Sequence, residues 1–142
     1  MAFQNPSTDE IRELLRRSRT VAVVGLSPDP DRPSYQVAAA MKARGYRIIP
    51  VNPNVESVLG EKAYPNLSAV PEPIDIVNVF RRPEHVLPIA EEAVNIGAKA
   101  LWLQEGVVNE EAALLAQRAG LFVVMDMCIK VADSVLLGPA KG

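Results

Sequence analysis

The stretch TVAVVGLS, residues 20–27, decides the fold that we expect for this chain. Its first five residues form a continuous apolar run, which is typical of a strand buried on both faces of a parallel sheet. Gly25 closes the run, and a loop rich in Pro, Asp and Ser follows. Ser34 then fits the N-cap of a helix over Tyr35–Arg44, with Gly45 at the C′ position that follows it. The stretch therefore predicts a strand, a loop and a helix in succession.

The same succession repeats along the rest of the chain. The further predicted strands are Tyr46–Val51, Lys62–Tyr64 (short), Ile74–Val79, Lys99–Leu103 and Leu121–Met125. Helices are also predicted at Thr8–Ser18, with Ser7 as its cap, at Glu84–Ile96, with its regular part from Pro88, and at Glu110–Ala119, with Asn109 as its cap. A turn is predicted at Ser68–Val70, and a turn or short helix on the sheet edge at Cys128–Leu137. Strands that alternate with helices predict an α/β fold with a doubly wound, mainly parallel sheet and helices on both faces.

Composition limits the possible functions. The chain has 142 residues, which suits one domain covering residues 1–142. With 15 Lys and Arg against 17 Asp and Glu, the net charge of -2 argues against a nucleic-acid partner. A single Cys and a single His argue against a disulfide framework and a multi-ligand metal site. Without a membrane-length apolar run or a secretory signal, we expect a cytoplasmic protein with no membrane partner.

Ligands of doubly wound sheets bind at the rim formed by the C-terminal ends of the strands, where the winding direction changes. The candidate binding residues are therefore those in the loops at that rim. They are Gly25, Ser27, Pro28, Asp29, Pro30, Arg32, Ser34 and Tyr35 in the first loop, Asn52, Pro53 and Asn54 in the second, Phe80, Arg81, Arg82 and Pro83 in the third, and Gln104, Glu105 and Gly106 in the fourth.

Two of these loops have the chemistry of an anion site. The first loop is not a G-x-G-x-x-G dinucleotide fingerprint, but Gly25 allows a tight turn and the helix start at Ser34 could hold a phosphate. Arg32 could neutralise the same anion. In the third loop, Arg81 and Arg82 stand beside a helix start and suit a pyrophosphate. The alternative interpretation is that these arginines are solvated surface charges.

The second loop bears on which nucleotide would bind. Enzymes that bind NAD usually place a carboxylate at the end of the second strand, where it accepts the ribose hydroxyls. Here the residues are Asn52, Pro53 and Asn54, which favours a phosphorylated ribose, as in coenzyme A or NADP, over NAD. The alternative interpretation is that these three residues only form a turn. Phe80 or Tyr35 could flank an adenine ring.

The chain has few residues suited to catalysis. His85 is interpreted as a partly exposed helix residue near the rim. Cys128 is most simply a small apolar filler, although a thiol beside a thiol-bearing ligand could form a mixed disulfide. Glu105 could accept a hydrogen bond from a ligand amide or hydroxyl, or from its own loop. We find no acid/base pair, metal cluster or nucleophile elbow in the sequence.

Six segments in a fixed order carry a family resemblance. They are Val21–Ser27, Val51–Pro53, Phe80–Glu84, Gly97–Lys99, Trp102–Gly106 and Asp126–Lys130. Through them the chain resembles the small CoA-binding proteins, which are similar to the N-terminal CoA-binding domain of the succinyl-CoA synthetase α-subunit. The resemblance extends over nearly the whole chain and implies a Rossmann-like sheet that binds coenzyme A.

The resemblance also assigns parts of the ligand to parts of the chain. It implies that residues 27–30 line the pantetheine and phosphates, that residues 52–55 approach the 3′-phosphate, and that residues 103–105 close the other side. The synthetase α-subunit has Gly and Lys where Pro28 and Asp29 stand here. The missing positive charge could therefore come from Arg32, Arg81 or Arg82.

We accordingly expect a protein that binds coenzyme A or an acyl-CoA without evident catalysis of its own. The phosphorylated histidine of the synthetase belongs to a following domain that this sequence does not show. Two alternatives stay open. One is an NAD(P)-binding redox or sensor domain, because a fold does not fix a function. The other is a CoA-binding subunit of a larger acyl-CoA ligase, which would require a protein partner.

Overall fold

Within residues 2–139, which the computed structural model describes, five parallel strands form the central sheet. The strands in chain order are β1 (Thr20–Val24), β2 (Arg47–Val51), β3 (Ser57–Val58), β4 (Glu61–Lys62), β5 (Ile76–Val79), β6 (Ala100–Leu103) and β7 (Phe122–Val124). The sheet order is β2-β1-β5-β6-β7, and β3 and β4 form a separate antiparallel pair. The chain therefore reverses its winding direction between β1 and β5, which creates the switch point expected of a doubly wound sheet.

Five α-helices within the same residues cover the sheet. They are α1 (Thr8–Arg17), α2 (Pro33–Ala43), α3 (Val86–Asn95), α4 (Glu110–Arg118) and α5 (Ile129–Leu137). Short 3₁₀ turns occupy Leu67–Ala69 and Pro83–His85. In the described part of the chain no helix combines the length and apolar character that crossing a membrane requires.

The two faces of the sheet bury separate apolar layers. Alternate residues of β1 point to opposite faces, so that Ala22 and Val24 pack in one layer and Val21 and Val23 in the other. The first layer contains the apolar residues of α3 and α4, and the second contains those of α1, α2 and α5. Helices on both faces explain why the strands are continuously apolar, and the predicted Rossmann-like α/β fold is confirmed.

Two helices begin elsewhere than predicted. The N-cap of α2 is Arg32, so the prediction that Ser34 caps this helix is wrong. Pro33 begins the helix because its fixed φ suits the first helical position. The hydroxyl of Ser34 instead accepts a hydrogen bond from the Ser27 N–H at 3.0 Å. Helix α3 begins at Val86, two residues before the predicted start of its regular part at Pro88, and holds its proline within the first turn.

The last helix and the segment 55–73 also differ from prediction. Helix α5 packs on a face of the sheet against α1 and α2, not on the sheet edge, because Ile129 and Ala132 enter the apolar layer there. In the segment 55–73, β3 and β4 form a hairpin of which the sequence predicted only the second strand. That strand is shorter than predicted, and Tyr64 forms only an isolated bridge to Val51.

A buried polar cluster fixes α5 in place. Asp133 of α5 is fully buried, and its carboxylate pairs with the guanidinium of Arg44 and the hydroxyl of Tyr46. The Tyr46 hydroxyl also lies 3.0 Å from the carbonyl oxygen of Leu15 in α1. Burial, together with the neighbouring Asp133 carboxylate, raises the pKa of Tyr46 above its ordinary value. The cluster thus joins α1, α5 and the segment between α2 and β2.

The raised pKa of Tyr46 predicts a loss of stability in alkali. The folded protein holds this proton more tightly than the unfolded chain, so its contribution is complete below about pH 10 and is lost as the pH rises above that. Urea unfolding at pH 8, 10 and 11 should show a steeper loss above pH 10 for the wild type than for Tyr46→Phe. Because the other tyrosines and the lysines are present in both proteins, their titration affects the two stabilities alike. Identical alkaline losses would contradict the role assigned to Tyr46.

Candidate functional site

A cleft of about 460 Å³ lies at the switch point between β1 and β5. The loops after β1, β5 and β6 form its walls, together with the first turn of α2. The predicted residues that line it are Gly25, Ser27, Arg32, Ser34, Phe80, Arg81, Arg82, Pro83, Gln104, Glu105 and Gly106. Pro33 and Val107 also line it, although neither was a candidate from the sequence. Three of the four predicted loops therefore meet in one place.

Gly25 brings the first and third loops into close approach. Its φ of +88° lies in the left-handed region, and a Cβ built on it would stand 2.3 Å from the carbonyl oxygen of Phe80 and 3.0 Å from the Cδ of Arg81. The Gly25 N–H donates to the Val51 carbonyl at 2.9 Å. Only glycine satisfies both the backbone angle and the contact. The stem of Arg81 is thereby held against the end of β1.

Three arginines of the first and third loops bring positive charge to the cleft. The side chains of Arg32, Arg81 and Arg82 are exposed, and their guanidinium groups form no hydrogen bond or ion pair with any part of the chain that the structure describes. Helix α2 begins at the wall of the same cleft, where Pro33 and Ser34 line it. A helix N-terminus and unpaired guanidinium groups together make the cleft suited to a phosphate.

The first loop is shaped by its own side chains. The Ser27 hydroxyl accepts the Asp29 N–H at 3.0 Å, and a carboxylate oxygen of Asp29 accepts the Asp31 N–H at 2.9 Å. Pro28, Asp29 and Pro30 do not line the cleft or the second cleft described next. The same holds for Tyr35, which packs against the apolar layer beneath α2. These four candidate residues are not brought to the site.

A second cleft of about 420 Å³ adjoins the first at the end of β2, and Gly25 and Arg81 line both. Asn52, Pro53 and Asn54 form part of its wall, as the sequence predicted. The amide of Asn52 is engaged within the protein, since its Nδ2 donates to the Leu26 carbonyl at 3.0 Å and its Oδ1 accepts the Asn54 N–H at 2.9 Å. Asn52 therefore shapes the turn and brings no negative charge to it.

Six further residues of the second cleft were missed from the sequence: Pro65, Asn66, Ile89, Glu92, and Val24 and Val51 at the strand ends. The first two lie in the segment whose short strands gave no clear periodicity. The carboxylate of Glu92 accepts hydrogen bonds from the N–H groups of Leu67 and Ser68, both at 3.2 Å, and from the Ser68 hydroxyl at 2.9 Å. The charge of Glu92 is thus used to hold the 3₁₀ turn.

Gln104 forms the floor of the first cleft on the β6 side. Its side chain is buried, and its Oε1 accepts from the Nδ2 of Asn78 at 3.2 Å and from the N–H of Ile129 at 3.3 Å. Its Nε2 forms no hydrogen bond with the described residues. The amide is therefore held rigidly and offers a donor to a ligand. Beside it, the Gly106 N–H donates to a carboxylate oxygen of Asp126 at 2.7 Å, which ties the loops after β6 and β7 together.

The two residues with the most reactive side chains stand outside both clefts. His85 is exposed at the end of the 3₁₀ turn before α3. Cys128 is the half-buried residue before α5 and lines a separate apolar groove. No group of three or more potential metal ligands occurs among residues 2–139. The exposed guanidinium groups and uncharged amides of the clefts are chemically suited to an anionic ligand.

Comparison with known families agrees with this geometry. Residues 19–134 match the family model of the CoA binding domain. An uncharacterized protein of Bacillus subtilis (strain 168), YneT, is 52% identical over 133 residues, which cover 94% of this chain and 98% of the relative. A hypothetical protein from Pyrococcus horikoshii OT3, of known structure, is 37% identical, with a TM-score of 0.91 over 97% of this chain and 100% of that one.

A more distant relative has a named activity. The α-subunit of the ADP-forming acetate–CoA ligase II of Pyrococcus furiosus is 26% identical over 127 residues, which are 82% of this chain but only 28% of the ligase subunit. The resemblance inferred from the six sequence segments is confirmed by the family match, which includes the loops of both clefts. The chain belongs to the CoA-binding domain family.

Proposed function

We propose that this protein binds coenzyme A or an acyl-CoA along the C-terminal rim of its sheet, without catalysis of its own. The single observation that carries the proposal is the pair of adjoining clefts at the switch point, with Arg81 lining both. Coenzyme A has a charged nucleotide end and a long neutral arm. At the rim, the arginines place positive charge where the two clefts meet, and the uncharged amide of Gln104 lies beside them.

The diphosphate is the part of the ligand that we assign to the arginine side of the first cleft. Arg81 lies where the two clefts meet, and Arg82 and Arg32 stand on the wall of the first cleft. Charge-assisted hydrogen bonds from guanidinium to phosphate are stronger than neutral ones. The N-terminal turn of α2 adds N–H groups and a favourable dipole at the same wall.

The adenosine end is assigned to the second cleft, at the end of β2. The residues at this strand end are Asn52, Pro53 and Asn54, none of which carries a charge. A carboxylate placed there to accept ribose hydroxyls would repel a phosphate on the ribose. Glu92, the acidic residue that does line this cleft, stands on α3 and is committed to the 3₁₀ turn. This arrangement supports a 3′-phosphorylated ribose.

The neutral pantetheine arm is assigned to the β6 side of the first cleft. Pantetheine carries two amide groups, and the Nε2 of Gln104 is a donor suited to one of their carbonyls. Glu105 on the same loop is negatively charged and exposed, so it disfavours a phosphate there and favours the uncharged arm. The distribution of charge along the rim therefore supports a ligand with its diphosphate beside the arginines and its pantetheine arm beside the loop after β6.

The ligand class is tested by thermal unfolding with coenzyme A, dephospho-CoA, NAD and NADP. A ligand at 100 times its dissociation constant adds about 2.7 kcal/mol to the free energy of unfolding, which is readily measured. We expect coenzyme A to raise the melting temperature more than dephospho-CoA does, since the second cleft accommodates the 3′-phosphate. Equal shifts for these two would contradict the assignment of that phosphate. A larger shift with NAD or NADP would favour a dinucleotide-binding function instead.

A further inference from the structure

A third cavity, of about 560 Å³, lies between α1 and α5 and belongs to neither cleft of the proposed nucleotide site. Its lining is mostly apolar. The residues that matter here are Ile11, Cys128, Val131, Ala132, Val135 and Leu136. Val131 is 56% exposed and Val135 is 74% exposed, which makes them the most exposed large apolar side chains among residues 2–139. One turn of helix separates them, so they form a single stripe along the groove.

The groove adjoins the first cleft. Glu105, in the loop after β6, lines both cavities, and Asp126, in the loop after β7, lines the groove at the same end, which we take as its mouth. The three cavities therefore follow the strand order β2-β1-β5-β6-β7 along one rim. With neighbouring strands about 4.8 Å apart, the four gaps from β2 to β7 span about 19 Å. An extended ligand bound with its nucleotide at β2 and β1 would direct its other end at the groove.

We propose that this apolar groove receives the acyl chain of an acyl-CoA. The inference rests on the proposed function and names the ligand class. The arginines hold the charged end of the ligand near β1 and β5, while the charge of Glu105 keeps phosphate away from β6. The thioester end then lies at the mouth of the groove. Beyond the mouth, a hydrocarbon chain would cover the side chains of Val131 and Val135 and remove them from water.

The groove also indicates the length of the chain. From Cys128 to Leu136 the helix rises by about 12 Å, at about 1.5 Å for each residue, which suits a chain of about eight carbons. Acetyl-CoA would leave most of the groove empty. Octanoyl-CoA would fill it, so its additional methylene groups should tighten binding by at least about tenfold even though one side of the groove is open to water.

The test is calorimetric titration of the full chain with coenzyme A, acetyl-CoA and octanoyl-CoA. The wild type should bind octanoyl-CoA at least about tenfold more tightly than acetyl-CoA. In Val135→Glu, a charge on the groove wall should reduce this preference to less than about threefold while leaving acetyl-CoA binding unchanged. Ser134→Glu adds the same charge to an exposed position of the same helix outside the groove lining, and it should keep the full preference.

The outcomes separate this inference from the function on which it rests. Equal affinities for acetyl-CoA and octanoyl-CoA, with both binding, would overturn the groove assignment and leave coenzyme A binding in place. A full octanoyl preference in Val135→Glu would also overturn it. Absence of binding by all three ligands would remove both proposals. Light scattering completes the test, because a wild-type dimer that Val135→Glu dissociates would make the groove an interface between copies of the chain.

Discussion

Replacing Gly25 with alanine is expected to lower the free energy of unfolding by at least about 2 kcal/mol and to weaken coenzyme A binding at least tenfold. The left-handed φ of +88° is unfavourable for alanine, and the new Cβ would lie 2.3 Å from the Phe80 carbonyl oxygen. That oxygen belongs to the backbone at the end of β5, so it moves only if the third loop moves. Arg81 would move with it and lose its position between the two clefts.

Gly97→Ala is the matched control for this substitution. Gly97 also has a positive φ, of +74°, but its Cβ would meet no atom within 4 Å. It should therefore show only the backbone cost, about 1 kcal/mol, and unchanged affinity for coenzyme A. Urea unfolding and calorimetric titration of both variants provide the comparison. Equal losses of stability and affinity in the two variants would mean that the contact between the first and third loops has no particular role.

The second large effect is expected from the two arginines of the third loop. Replacing both Arg81 and Arg82 with glutamine should weaken coenzyme A binding at least tenfold, since guanidinium–phosphate hydrogen bonds contribute about 1.5–3 kcal/mol each and tenfold requires about 1.4 kcal/mol. The loss should be larger for coenzyme A than for pantetheine, which has no diphosphate, and it should shrink as the salt concentration rises. The measurement is calorimetric titration at low and high salt.

The structure distinguishes the two arginines, which the sequence does not. Arg81 lines both clefts and Arg82 only the first, so Arg81→Gln should account for most of the loss. Arg118→Gln removes an exposed guanidinium at the end of α4, outside the described clefts, and should leave the affinity unchanged. An unchanged affinity in the double variant, with the fold retained, would make both arginines solvated surface charges and leave Arg32 as the candidate.

Much of the fold follows from local sequence signals. The continuous apolar run of β1 could be recognised because strands buried on both faces have no polar alternation, and Gly25 marked its end. The capping box at Ser7 and the cap at Asn109 predicted the starts of α1 and α4, because each cap satisfies N–H groups in the first turn of its own helix. These signals depend only on neighbouring residues.

Other features depend on contacts between distant residues and were not predictable. The hairpin of β3 and β4 has strands of two residues, too short to display a period. The place of α5 on a face of the sheet depends on Asp133 meeting Arg44 and Tyr46, which are about 90 positions away in the chain. The loops of the rim could be predicted from topology alone, but Tyr35 and residues 28–30 turn away from it. Hydrogen bonds inside the first loop hold residues 28–30, whereas Tyr35 stands on α2 and packs against the apolar layer.

The most direct test of the central claim is an amide chemical-shift titration of the ¹⁵N-labelled protein with coenzyme A. The account predicts saturable shifts at Gly25, Arg81 and Gly106 on the C-terminal rim. Gly97 and Gly120 precede β6 and β7 at the opposite rim and should not respond. Shifts confined to the opposite rim, or no shifts at millimolar coenzyme A, would contradict the account.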